Sequence, residues 1–72
     1  MNWDVIKGKW GQLKGSVKEQ WGDLRDDELD QMDGTKDVLV GKLQERYGWA
    51  KERADKAADD WAAALDETAA AR

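Results

Sequence analysis

Apolar residues in the first third of the chain recur at alternating spacings of 3 and 4 positions. This spacing keeps apolar side chains on one face of an α-helix. Trp21 continues that face, Asn2 is a suitable N-cap, and Gly22 is a suitable stop. The sequence therefore predicts one long first helix with a tryptophan-rich inner face. The residues that define this face are Trp3, Ile6, Trp10, Leu13 and Val17.

Size and polarity limit how this helix can be buried. The chain has 72 residues, enough for one domain, and a domain this small buries only about 60% of its unfolded surface. Charged residues make up 39% of the sequence and the mean hydropathy is -0.94, values close to those of disordered chains. The five tryptophans favour a folded state, because each can bury a large apolar area.

A short acidic segment follows the first helix. Acidic residues begin it at Asp26, and Gly34 follows it, a pattern typical of a helix of about two turns. Its apolar contacts are predicted to be Leu24, Leu29 and Met32. The other carboxylates of the chain, like those of this segment, lie in strongly polar surroundings. We interpret them as solvated helix faces.

Two further helices complete the chain. The third is predicted from Thr35 to Tyr47, with Gly48 as its stop. The fourth begins near Trp49, and the absence of proline allows it to be long. Its inner face is predicted to consist of three alanines followed by two large apolar residues: Ala50, Ala54, Ala57, Trp61 and Leu65.

These segments predict an all-α fold, a compact bundle of about four helices that could consist of two packed helical hairpins. Residues 1–62 are predicted to form a single helical domain. Residues 63–72 are rich in alanine and are predicted to be a helical extension or a frayed tail. Trp49 is the weakest of the tryptophans as a core candidate. The predicted core comprises Trp3, Ile6, Trp10, Leu13, Val17, Trp21, Leu29, Leu39, Leu43, Tyr47 and Trp61.

Glycines at regular intervals mark a second feature of the helices. The stretch from Asp4 to Trp10 resembles the stretch from Asp37 to Leu43 at an offset of 33, which can mark two related hairpins. Glycines within these helices fall opposite the apolar faces, although a glycine inside a helix costs roughly 0.5–1 kcal/mol relative to alanine. The candidate interaction face consists of Gly8, Gly15, Val38 and Gly41.

Three interpretations of the glycine faces remain open. Another helix, from this chain or from a partner, approaches them closely. Alternatively, the glycines keep the helices weak, so that folding is conditional. In the third interpretation they are solvent-facing positions without a role.

The residue inventory argues against catalysis. Histidine and cysteine are absent, and the aliphatic hydroxyls are limited to Ser16, Thr35 and Thr68. General acid–base and nucleophilic catalysis need positioned groups that this set does not supply. A calcium loop that placed Gly34 at its sixth position would begin at Leu29 and end at Val40, which cannot bind calcium. We therefore predict a non-enzyme without a cofactor or a metal site.

Partners are harder to predict. The lysines and tryptophans of the first helix are compatible with binding to a membrane surface or a nucleic acid. We favour a core role for the tryptophans and a solvated role for the lysines. The net charge of -4 makes nucleic-acid binding unlikely. With neither a membrane span nor a signal peptide expected, the predicted location is the cytoplasm.

Several motifs resemble those of the CsbD-like family of small bacterial general-stress proteins. The resemblance implies a compact bundle of about four helices, expression under stress and no established biochemical activity. It is carried by the stretches Met1–Asp4, Gly8–Gly15, Val17–Leu24, Asp26–Leu29 and Leu39–Gly48, with Trp61 as the closing aromatic residue.

The chain departs from the family pattern at two helix starts. Arg25 stands where threonine is common, so the cap of the acidic helix is predicted to move to Asp26 or Asp27. Ala50 stands near a position that is often serine or threonine, so the third and fourth helices could run closer to continuous.

The function expected from these observations is that of a non-catalytic general-stress protein with a structural or protective role. The alternative is a protein-interaction module or homo-oligomer that uses the glycine-lined faces to bind a protein partner or itself. Binding of a nucleic acid or a membrane surface through the first helix is a minor alternative.

Overall fold

The computed structural model describes residues 2–70 and the side chains of residues 2–65. Within that part, the chain forms helices and no strand, so the prediction of an all-α fold is confirmed. There are five helices where the sequence predicts about four. They are α1 (Trp3–Gly8), α2 (Trp10–Gln20), α3 (Asp26–Gln31), α4 (Lys36–Tyr47) and α5 (Lys51–Ala70).

The predicted first helix is wrong in one respect, because it is interrupted at Lys9. This residue has φ -110° and ψ 17°, and it ends α1 and precedes α2. Its backbone N–H lies 3.0 Å from the carbonyl oxygen of Val5 and 3.1 Å from that of Ile6, a shared bond typical of a helix end. Gly8 precedes the break, and its low helix propensity favours an interruption there.

The start of α1 and the end of α2 agree with the sequence pattern. The Asn2 side chain accepts a hydrogen bond of 2.9 Å from the backbone N–H of Val5, as expected of an N-cap. Trp21 caps the C-terminus of α2, and Gly22 follows it.

The prediction for the start of α3 is wrong, since its N-cap is Arg25 and not Asp26 or Asp27. The backbone N–H of Arg25 donates to Oε1 of Glu28 at 3.4 Å. This hydrogen bond is one of the two that make up a capping box, the one in which the acid at the third helical position accepts from the N-cap backbone. Since the donor is a backbone N–H, the bond does not need a hydroxyl side chain at the N-cap.

Glycines with positive φ angles flank α4: Gly34 precedes the N-cap Thr35, and Gly48 is the C-cap. Gly34, with φ +76°, lies against the first helix, and a Cβ atom there would approach the Cα of Lys7 to 2.9 Å. Gly48 has φ +68° and caps the C-terminus of α4, as predicted. Because α4 ends at Tyr47 and α5 begins at Lys51, the two helices are separate. The expectation of near continuity through Ala50 is wrong.

One cluster of buried residues forms the core, and every helix contributes to it. Among the predicted core residues, Trp3, Leu13 and Tyr47 are partly buried and pack against the cluster. On α5, Ala54 is buried, whereas Ala50 precedes the helix and is exposed, contrary to its predicted inner position. The buried cluster consists of Ile6, Trp10, Val17, Trp21, Leu24, Leu29, Met32, Leu39, Val40, Leu43, Ala54, Ala58, Trp61 and Ala62.

Trp61 joins the two ends of the domain. Its ring centroid lies 5.9 Å from that of Trp3 and 6.1 Å from that of Trp21. Its indole N–H donates to Oγ of Ser16 at 3.1 Å. The same indole therefore fixes α5 against both α1 and α2, while α5 packs most extensively on α4.

Ion pairs strengthen the contact of α4 and α5. The Lys36 ammonium lies 3.2 Å from Asp55 and 2.9 Å from Asp59. Hydrogen bonds to Asp59 and then to Asp55 raise the pKa of Lys36 above its ordinary value. Asp59 also accepts from the indole N–H of Trp3 at 3.4 Å, so it links three helices.

The predicted tail lies partly outside the described residues. Helix α5 continues to Ala70, while residues 71 and 72 and the side chains of residues 66–70 are not described. The division into residues 1–62 and 63–72 stays a prediction.

Replacing Trp61 with alanine is expected to lower the free energy of unfolding by about 3–5 kcal/mol, because ring contacts to two helices are lost together. Trp49→Ala is the matched control and should cost clearly less, since Trp49 is only half-buried. Chemical denaturation followed by circular dichroism measures both. Equal losses in the two variants would contradict the central role assigned to Trp61.

Candidate functional site

The predicted interaction face is exposed in the structure. Among the described residues, no atom from outside the local helix backbone lies within 4 Å of the position that a Cβ atom would occupy on Gly8, Gly15 or Gly41. Val38 is 41% exposed, and Val5, beside Gly8 on α1, is 40% exposed. The described part of this chain therefore places no helix against these glycines. Whether a partner covers them stays a prediction.

The internal repeat is in register with the helix starts. At the offset of 33, the N-cap Asn2 corresponds to the N-cap Thr35. The buried residue Ile6 corresponds to the buried Leu39, and the exposed Val5 to the exposed Val38. The repeat therefore describes equivalent positions in the fold, including its two exposed valines.

Surface grooves among the described residues lie between several helices. One, of about 540 Å³, lies between α2 and α3 and includes Gly11 and Gly15. Another, of about 350 Å³, lies where α1 and α4 begin, between Trp3 and Lys36. A further groove, of about 370 Å³, lies between the end of α2 and α5, and three tryptophans line it: Trp21, Trp49 and Trp61.

Ion pairs cross the groove between α2 and α3. The Lys14 ammonium lies 2.6 Å from a carboxylate oxygen of Asp30. Lys18 donates to the carbonyl oxygen of Leu24 at 2.6 Å and lies 3.9 Å from Asp26. These lysines therefore bind the acidic segment of their own chain, which leaves less positive charge available to a polyanion.

The tryptophans of the first two helices point into the domain. Trp10 and Trp21 are buried, and the indole N–H of Trp10 donates to the carbonyl oxygen of Leu29 at 2.8 Å. Trp3 is half-buried against Trp61. This placement matches the core role that the sequence favours over a membrane-facing one.

Glu28 is a buried charge that the sequence analysis missed. Only 7% of the residue is exposed, although the carboxylates were interpreted as solvated. Arg46 on α4 binds both carboxylate oxygens, and Lys42, one turn away, lies at 3.5 Å. Two cations four residues apart on one helix, with an acid at the third position of another, are the signal that could have indicated this cluster.

The surroundings of Glu28 favour its ionised form. The hydrogen bond from Arg46 is the main reason that the pKa of Glu28 lies below its ordinary value, and burial acts in the opposite direction. The backbone N–H of Arg25 and the charge of Lys42 add to the lowering. The cluster fixes α3 on α4, which is a structural role.

Trp49 forms a separate aromatic group at the start of α5. Its ring stacks on Tyr47 with centroids 4.7 Å apart and an angle of 19° between the planes. The guanidinium of Arg53 lies 4.5 Å from the centroid of the same ring. Trp49 lies partly buried at the edge of the core.

The described residues offer neither a cluster of metal ligands nor a membrane-spanning helix. They contain no group of three or more acidic residues that could hold a metal ion. None of their helices combines the length and the apolar character that crossing a membrane requires.

Comparison with known proteins gives the family. A family model described as CsbD-like matches residues 4–56. The chain belongs to the CsbD-like family. A UPF0337 protein of Pseudomonas aeruginosa is 62% identical over 61 residues, which cover 85% of this chain and 94% of the relative.

Two further relatives cover the same share of the chain. The UPF0337 protein YjbJ of Escherichia coli K12 is 54% identical over 61 residues, 88% of its length. A UPF0337 protein of Rhodopseudomonas palustris is 54% identical over 61 residues, 92% of its length. The CsbD-like family consists of small bacterial stress proteins of unknown function, and it does not point to a catalytic activity.

Stability is expected to depend on pH through Glu28. Its pKa is lower in the folded chain than its ordinary value of 4.5. Its contribution is therefore complete above the unfolded pKa and is lost as the pH falls through the folded pKa. Glu28→Gln should be less stable than the wild type at neutral pH, and the difference should shrink on acidification below pH 4.5.

Urea denaturation between pH 2 and pH 7 measures this difference. Glu52→Gln, which removes an exposed carboxylate from α5, is the control and should change stability little at neutral pH. If the difference in unfolding free energy between wild type and Glu28→Gln stays constant from pH 2 to pH 7, the ion pair is not the source of that difference.

Proposed function

We propose that this CsbD-like protein has a protective role under stress and does no chemistry. The observation that carries the proposal is the partition of its side chains. The large apolar residues gather in one core, and among the described residues only Val5 and Val38 are large apolar side chains counted as exposed. The described surface is therefore mainly charged and polar.

Such a surface suits a protein that remains dispersed when water becomes scarce. Net charge and interspersed ions of both signs oppose association between molecules. Charged pairs such as Lys14–Asp30 and Lys36–Asp59 also join separate helices. In the described part, no buried side-chain nitrogen or oxygen lacks a hydrogen bond. Placed between client proteins, a folded and strongly hydrated particle of this kind would keep their apolar surfaces apart.

A drying assay tests the protective role. A dehydration-sensitive enzyme is dried and rehydrated with this protein, and its remaining activity should exceed that in buffer or with an equal mass of lysozyme. Trp61→Ala is the matched variant, because it changes no charge but weakens the fold. It should protect less well at the temperature where it is unfolded.

Two results would count against the proposal. Protection no better than that given by lysozyme would refute the role. Equal protection by the folded and unfolded forms would refute its basis in the folded surface. The cytoplasmic location and the absence of nucleic-acid binding stay predictions, the latter supported by the pairing of Lys14 and Lys18 with acids of the same chain.

A second candidate function is self-association through the glycine-lined face. The observation that favours it is the open space over Gly8, Gly15 and Gly41, together with the exposed Val38 on the same helix as Gly41. Glycine allows two helix backbones to approach closely, and its cost to helix stability is offset if a helix of a second copy packs there.

The Gly41→Ala variant distinguishes self-association through the glycine-lined face from a face that has no role. The variant should raise the unfolding free energy of the monomer by about 0.5–1 kcal/mol, and it should weaken any dimer because the new methyl group lies in the contact. Analytical ultracentrifugation over a wide concentration range measures association. Gly22→Ala, outside the helices, is the control. A wild-type chain that stays monomeric throughout would exclude this function.

A further inference from the structure

Carboxylates provide the ion pairs that join α3 to the other helices. The helix has four acidic residues and no cationic one. Asp30 pairs with Lys14 of α2 at 2.6 Å, and Asp26 lies 3.9 Å from Lys18 of the same helix. Both pairs are open to solvent, so each adds little to stability. The ion pair that matters most for the position of α3 is therefore the buried one, made by Glu28.

Glu28 lies among cations that α4 provides. Arg46 binds both of its carboxylate oxygens, and the ammonium of Lys42 lies 3.5 Å away. The backbone N–H of Arg25 donates to Oε1 at 3.4 Å. Of the carboxylates in this cluster, Glu28 is the buried one. The exposed ones are Glu45, which lies 3.6 Å from Lys42, and Asp27, which lies 3.3 Å from Arg25.

Protonation of Glu28 removes the charge that holds α3 on α4. A neutral carboxyl group accepts a weaker hydrogen bond from Arg46 than a carboxylate does. Arg46 and Lys42 lie four residues apart on one helix, where like charges repel each other once the carboxylate between them is neutral. With six residues, α3 is too short to remain helical without its tertiary contacts. Protonation therefore favours detachment of the whole helix.

The contacts of Trp61 do not depend on an ionised group. Its ring packs against two other tryptophans, and its indole N–H donates to Oγ of Ser16 at 3.1 Å. Acid also weakens the pairs of Lys36 with Asp55 and Asp59, but these carboxylates are exposed, so little stability is lost there. The packing of α5 on the rest of the domain therefore persists at a pH where Glu28 is protonated.

We propose that protonation of Glu28 releases α3 from the domain while the packing of Trp61 holds the other helices together. The hydrogen bond from Arg46 keeps the pKa of Glu28 below its ordinary value of 4.5, so the release takes place below pH 4.5, as the pH falls through the folded pKa. Leu29 leaves the core with α3, and the indole N–H of Trp10 loses its acceptor, the carbonyl oxygen of Leu29. Acid thereby gives a mainly polar protein an exposed apolar surface.

Two indole N–H signals follow the two parts of the domain in an NMR titration of the full chain from pH 7 to pH 2. Trp10 reports on α3, because its N–H donates to Leu29 at 2.8 Å. Trp61 reports on α5, because its N–H donates to Ser16 on α2. We expect the Trp10 signal to change below pH 4.5 and before any change in the Trp61 signal. If both signals change together, acid unfolds the whole domain and the proposal is overturned.

Substitutions separate Glu28 from the other acids. Glu28→Gln should show at pH 7 the Trp10 signal that the wild type shows in acid, and the signal should no longer depend on pH in this range. Arg46→Lys keeps the charge but not the two-point contact. It should move the release to higher pH, and it tests the proposal even if Glu28→Gln does not fold.

Asp30→Asn is the matched control on the same helix. It removes an exposed ion pair and should leave the midpoint of the Trp10 transition unchanged. The proposal is overturned if the transition keeps its midpoint in Arg46→Lys, if it persists in a folded Glu28→Gln variant, or if Asp30→Asn shifts it as far as Arg46→Lys does.

Discussion

The packing of Trp61 against Trp3 and Trp21 is the contact on which the rest of the fold depends. The sequence contains no cysteine, and a domain of this length has little apolar surface to bury. A few large aromatic rings therefore add substantial apolar area to a core of mainly aliphatic residues. Because Trp61 lies on the last helix and its partners on the first two, this contact also closes the domain.

Ionic contacts determine how the shorter helices are placed on that core. Glu28 lies under Arg46 and Lys42, so the acidic helix α3 is fixed to the basic side of α4. Asp59 similarly receives Lys36 and the indole of Trp3. A buried carboxylate is costly to leave unpaired. These contacts therefore favour one arrangement of the helices over others that would bury the same apolar residues.

The composition of the surface follows from which residues the core and the ion pairs use. Three of the six aromatic residues lie in the buried cluster and the other three pack against it. The described surface is therefore mainly charged and polar, which supports the proposed protective role. Two places on this surface are not mainly charged: the open glycine faces, and the groove beside Trp49, where an aromatic ring lies partly outside the core.

The sequence by itself determined the all-α fold, most helix ends and the inner faces, since these depend on local spacing, on caps such as Asn2 and on the glycine at 48. It did not determine the break at Lys9, the burial of Glu28 or the tight contact of Gly34 with Lys7. The last two depend on groups far apart in the chain, whereas the break at Lys9 follows Gly8, whose low helix propensity permits an interruption without requiring one. Tertiary packing decides whether a carboxylate meets Arg46 or water, and whether a glycine faces a neighbouring backbone or open solvent.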